Sequence, residues 1–152
     1  DVGEIDSDGF IKITDRKKDI IVLSGGDTLS PQRVEGMLQF EPEIGQAMVV
    51  GDKQPYLVSL IVPDADAARD WAKSLGKPND LASAVADPAF HAYIEEAVER
   101  VNKRLSQPER VRRFRLVAEP FTTDNAMLTP SMKIRRHVIN GTYADQLAAL
   151  RR

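Results

Sequence analysis

Ala47-Met48-Val49-Val50, the loop Gly51 to Pro55, and Leu57-Val58-Ser59-Leu60-Ile61-Val62 decide the fold of this chain. The two apolar runs are short, and a loop carrying Gly and Pro separates them. They read as neighbouring strands of a buried sheet. Just upstream, Ser30-Pro31 marks a helix start: a hydroxyl N-cap followed by proline at the first helical position. Val34, Met37 and Leu38 give that helix its apolar stripe. Downstream, Asp64 caps a helix with Ala68, Trp71, Ala72 and Leu75 on one face and Gly76 as its stop.

Further out, a helix from about Pro88 to Leu105 turns Ile94, Ala97, Val98, Val101 and Leu105 inward. Phe114-Arg115-Leu116-Val117 returns as a strand, and a last helix from about Arg135 to Leu150 presents Val138, Ile139 and Leu147. Toward the front, Ile20-Ile21-Val22-Leu23 is a short strand followed by the loop Ser24-Gly25-Gly26-Asp27. Residues 4–13 read as a hairpin, with Asp8-Gly9 supplying the turn. Strands interleaved with helices predict an α+β domain, a small three-stranded sheet covered by helices with an N-terminal β-hairpin. One domain is expected over 1–152, with 1–19 as hairpin and junction and 20–152 as body.

Composition bounds the function. The apolar and charged fractions, 42% and 29%, are those of a soluble globular domain, and no apolar run is long enough to span a bilayer. A net charge of -2 predicts no general affinity for nucleic acid. With no cysteine, disulfides, thiolate metal sites and Cys nucleophiles are excluded. His91 and His137 are isolated and read as helix-face residues, so no metal site is expected. The chain starts at Asp1 and runs straight into a patterned segment, which reads as a cut inside a longer protein. The lack of a signal peptide then says little about the parent.

Two stretches are not explained by packing. In the first, Asp15 to Ser30, charges and the pair Gly25-Gly26 flank a strand. That pair reads as a tight strand-to-helix loop, or as backbone left bare for close approach by a ligand or another chain. The second, Met127 to Arg136, is a proline-containing loop that presents Lys133 just before a helix. By pattern alone Lys133 is a solvated lysine. The basic run Arg110, Arg112, Arg113, Arg115 offers phosphate contacts or, more simply, a solvated face.

Taken in order, Asp1-Val2-Gly3-Glu4, Asp8-Gly9-Phe10, Thr14-Asp15-Arg16-Lys17-Lys18-Asp19 and Ser24-Gly25-Gly26 resemble the domain-junction motif of the adenylate-forming superfamily. Thr129-Pro130-Ser131-Met132-Lys133 resembles the motif that carries its C-terminal catalytic lysine. The segment Leu105 to Thr123 and the helical insert before it look most like the long-chain fatty acyl-CoA synthetase branch.

The resemblance implies the mobile lid domain of an AMP-forming long-chain fatty acid–CoA ligase. Acid and ATP would give acyl-AMP and pyrophosphate, and CoA would then give the thioester and AMP. It places Asp1 on the ribose hydroxyls and Arg16 on the ribose or phosphate side of the adenylate. Lys18 falls at the hinge, Lys133 at the adenylation transition state, and Gly25 and Gly26 along the pantetheine of CoA. A missing N-terminal large domain would be the partner. It would carry the phosphate-binding loop, the acyl and adenine pockets and most ligands of Mg2+, so the fragment alone is expected to be inactive. Pro130 to Lys133 lacks the Gly-Lys form of the short-chain branch. The implied location is cytoplasmic, and peripheral membrane association of the parent stays open. An acyl-AMP ligase loading a carrier protein, or a stand-alone binding or regulatory module, are the competing readings.

Overall fold

The computed structural model describes residues 3–5, 11–13, 20–78 and 80–151. Strands β1 (Gly3–Ile5) and β2 (Ile11–Ile13) pair antiparallel with Ile5 opposite Ile11, the hairpin expected over 4–13. Its turn and the charged junction Asp15 to Asp19 lie outside the described residues. Next come the short antiparallel strands β3 (Ile21–Val22) and β4 (Thr28–Leu29). The expected strand-to-helix loop therefore contains a second two-residue strand before helix α1 (Pro31–Gln39).

The main sheet has the order β5-β6-β7, with β5 (Ile44–Val50) antiparallel to β6 (Leu57–Pro63) and β7 (Val111–Leu116) parallel to it. Every residue of the central strand β6 is buried, which is why its sequence is an almost unbroken apolar run. Side chains alternate across the pleat. Leu57 and Ile61 join Ala47 and Val49 in one apolar layer, while Val58, Leu60 and Val62 join Met48 in a second layer on the opposite face.

Helices cover the first face. They are α1 and three helices of the crossover between the parallel strands: α2 (Ala65–Ser74), α3 (Leu81–Val85) and α4 (Pro88–Asn102). A parallel pair needs such a long connection. Phe90, Ile94 and Val34 are fully buried there. The second face is covered by residues 117–128 and two final helices, α5 (Arg136–Thr142) and α6 (Ala144–Ala149), through Phe121, Met127, Leu128, Ile139 and Leu147.

The helices differ from the pattern reading in three ways. Helix α4 stops at Asn102, whose amide bonds both the N–H and the C=O of Val111 at 3.0 Å and so holds the turn into β7. The short helix α3, capped by Asp80, has too few residues to show a period. The last helix is split at Tyr143, whose φ and ψ of -110° and 24° are not helical. Gly141 weakens the helix just before the break, and the Thr142 hydroxyl donates back to the Val138 carbonyl at 2.9 Å. Burial pushes the Tyr143 phenol above its ordinary pKa, with Glu119 adding to the shift.

The outer edge of β5 has N–H groups with no strand partner. One turn apart on α1, Glu35 accepts from Val49 N–H at 2.8 Å and Gln39 from Ala47 N–H at 3.1 Å. Helix α1 therefore closes the sheet edge with side chains.

Candidate functional site

Gly25 and Gly26 form the turn between β3 and β4. Leu23 C=O accepts from Gly26 N–H, and Asp27 C=O accepts from Leu23 N–H, both at 2.9 Å. This is a three-residue hairpin loop whose last residue takes positive φ, here +100° at Gly26. Gly25 does not share that requirement: its φ is not positive, and an added Cβ would meet nothing within 4 Å. The turn is buttressed by the β5–β6 loop. Ser24 N–H donates to Gln54 C=O at 2.9 Å, Lys53 N–H to Val22 C=O at 2.7 Å, and Val22 N–H to the Asp52 carboxylate at 3.1 Å. Ile21, Leu23 and Leu29 root it in the helix-side apolar layer.

Lys133 sits on an arm of the same design. Thr129 N–H donates to Lys133 C=O and Met132 N–H to Thr129 C=O, both at 2.8 Å, beyond a bridge between Leu128 and Ile134. Pro130 and Ser131 are the central residues of the turn, and Met132 takes the positive-φ place at +68°. The Thr129 hydroxyl fastens the loop, accepting from Lys133 N–H at 3.1 Å and lying 3.0 Å from the Ser131 hydroxyl. The Lys133 side chain is half-buried, while Met132 is 66% exposed beside it.

The base of the arm is held from both legs. Residues Thr122 and Asn125 bond each other reciprocally at 3.0 and 3.1 Å, and buried Met127 and Leu128 enter the second apolar layer. Arg135 N–H donates to Met127 C=O at 2.8 Å. Arg136, the first residue of α5, places its two terminal nitrogens on the two oxygens of Glu35, at 2.6 and 2.7 Å. Sequence reasoning missed this pair. Its signal was a carboxylate three residues before Leu38, within the apolar stripe of α1.

Of the residues singled out from the sequence, Lys133, Gly25 and Gly26 are described, and Asp1, Arg16 and Lys18 lie outside the described residues. The glycine turn and the lysine arm do not share an anchor. One is rooted in the layer on the helix face of the sheet, the other in the layer on the opposite face. In the basic run, Arg110 donates to the Asn102 carbonyl at 3.2 Å and Arg113 to the Leu150 carbonyl at 3.3 Å, with Arg112 and Arg115 exposed. His91 stacks on Phe114 with ring centroids 4.3 Å apart. Among the described residues there is no group of three or more His, Asp or Glu that could hold a metal ion. No helix among them is long and apolar enough to cross a membrane.

Lys133 thus closes a turn ahead of a helix, and Gly25-Gly26 closes a turn with a separate anchor. The family model for the AMP-binding enzyme C-terminal domain matches residues 18–152. The chain belongs to this family. This AMP-binding C-terminal domain is 39% identical over 155 residues to the long-chain-fatty-acid–CoA ligase FadD15 of Mycobacterium tuberculosis, covering 99% of this chain and 25% of that protein. It is 31% identical over 153 residues to long-chain-fatty-acid–CoA ligase 1 of Cavia porcellus, covering 99% of this chain and 22% of that one. The chain thus spans about a quarter of the length of the curated relatives it matches. Its fold resembles part of the adenylation domain of the carboxylate reductase of Mycobacterium chelonae, with a TM-score of 0.75 and 24% identity over 96% of this chain and 24% of that one.

Proposed function

We propose that this domain is the lid of an AMP-forming long-chain fatty acid–CoA ligase and serves both half-reactions by changing pose. In the first, a fatty acid carboxylate oxygen attacks the α-phosphorus of ATP and the bond to pyrophosphate breaks, giving acyl-AMP. In the second, the CoA thiol, losing its proton, attacks the acyl carbonyl and the bond to AMP breaks. ATP and CoA are substrates of the whole protein, and the fatty acid class is taken from the relatives' names.

Lys133 would act in the first step. Negative charge crowds between carboxylate and α-phosphate, and an ammonium on a flexible stem is a point charge that can settle there. Gly25 and Gly26 would act in the second, their missing side chains leaving a slot for pantetheine. Asp1 would accept from both ribose hydroxyls, since a carboxylate can take two adjacent donors. Arg16 would contact the ribose or phosphate side, and Lys18 would be the hinge, where rotation at an element end swings the body. A larger N-terminal domain would complete the site and hold Mg2+, whose charge offsets that of the phosphates.

The observation that carries this reading is the anchoring of the two turns on opposite faces of one sheet. A body built this way presents them one after the other by rotating. The test is Lys133→Ala in the full-length ligase. Pyrophosphate exchange should fall on the order of 10²–10³-fold, with thioester formation from supplied acyl-AMP far less affected. Equal losses in both steps would refute the assignment.

A further inference from the structure

We infer that the Glu35–Arg136 ion pair is the positioning device of the lysine arm, an inference that rests on the reading of Lys133 given above. Arg136 lies three residues after Lys133, and its partner lies 101 positions away on α1. The contact is a two-pronged fork, 2.6 and 2.7 Å, between the Arg136 side chain, 20% exposed, and the Glu35 side chain, 5% exposed. Such forks set direction as well as distance. The carboxylate is not free to follow the arm, because the same Glu35 oxygen that takes one prong also accepts from Val49 N–H of β5.

Stability alone is a weak reason for this arrangement. Two charges removed from water recover their solvation only with good geometry, and apolar residues of the same volume often serve as well or better. Apolar packing is at hand, since Ile139 and Leu128 already root both legs of the arm in the second layer. What an apolar contact lacks is orientation. The tip of the arm is a three-residue loop, and a small tilt at its base moves the ammonium by more. A lysine delivered by the motion of a whole domain is placed only as well as its arm is held to that domain. Arg135 braces the other leg, through N–H to Met127 C=O at 2.8 Å and Nη1 to Ala126 C=O at 3.3 Å. Adjacent arginines therefore divide the work: Arg135 ties the two legs together and Arg136 ties the arm to α1.

The test uses the full-length ligase with Glu35→Gln, Arg136→Lys, Lys133→Ala and the double variant Glu35→Gln/Lys133→Ala. Gln keeps the volume and an acceptor for Val49 N–H, and Lys keeps the charge but loses the fork. Pyrophosphate exchange and thioester formation from synthetic acyl-AMP are measured on the same preparations. Exchange kcat should fall roughly 10- to 10²-fold in each single variant of the pair, the cost of misplacing a catalytic group by about 1 Å. The KM for ATP and the thioester step should stay within about threefold. In the Lys133→Ala background, Glu35→Gln should cost nothing further in exchange. Parallel loss of both steps, or the same fold-loss with Lys133 absent, makes the pair a plain structural bond and overturns the inference. Failure of both conservative variants to fold does the same. If Lys133→Ala alone leaves exchange intact, the reading of Lys133 has failed instead, and the inference falls with it.

Discussion

Gly25→Ala should separate what the glycine turn does for the fold from what it does for a substrate. At Gly25 φ is not positive and an added Cβ meets nothing within 4 Å, so alanine fits the folded backbone without strain. The main effect on folding is then in the unfolded chain, which loses freedom, and stability should rise by about 0.4–1 kcal/mol. At roughly 2–4 °C per kcal/mol for a chain of this size, Tm should rise by about 1–4 °C. The control is Gly26→Ala, which meets no atoms either but carries φ +100°. There the substitution should destabilise by about 1 kcal/mol or more, from backbone strain alone. If the turn lines pantetheine, the same harmless methyl at residue 25 occupies a filled slot. Overpacking costs about 1–3 kcal/mol, so thioester formation should slow about 5- to 10²-fold. Thermal unfolding of the chain gives the first effect, and the full-length ligase assayed with synthetic acyl-AMP gives the second. Pyrophosphate exchange should not change. A Gly25→Ala enzyme that is stabilised and makes thioester at the normal rate would refute the pantetheine slot.

The arm of Lys133 invites the opposite substitution. Met132 holds φ +68° and is 66% exposed, so Met132→Gly loses little burial while releasing about 1–2 kcal/mol of left-handed strain, partly offset by unfolded-state entropy. Tm should rise by about 1–4 °C, and a fall would mean that contacts of the Met132 side chain outweigh its backbone. The 152-residue chain by itself should unfold cooperatively on heating, because both faces of its sheet are covered from within. It should show no pyrophosphate exchange, and activity above background in a pure preparation would contradict the lid reading.

Much of this molecule was written in local signals. Ser30-Pro31 placed the start of α1 because a hydroxyl cap and a proline act within one turn, and the Ser30 hydroxyl does accept from Arg33 N–H at 3.4 Å. The runs around Val49 and Leu60 announced paired strands because a strand buried on both faces has no polar alternation to show. The candidate site was legible only through its motif resemblance: nothing in the period of the sequence distinguishes Lys133 from a solvated lysine. What the tertiary structure decided depends on residues far apart in the chain. The Asn102 amide ends α4 by bonding Val111, and Glu35 becomes the anchor of the lysine arm only when folding brings Arg136 and the edge of β5 to it. The separation of Gly25-Gly26 from Lys133 on opposite faces is of the same kind. Caps and periods act over a few residues, so sequence carries them, whereas the face on which a loop is rooted is settled only when strands pair and both layers close.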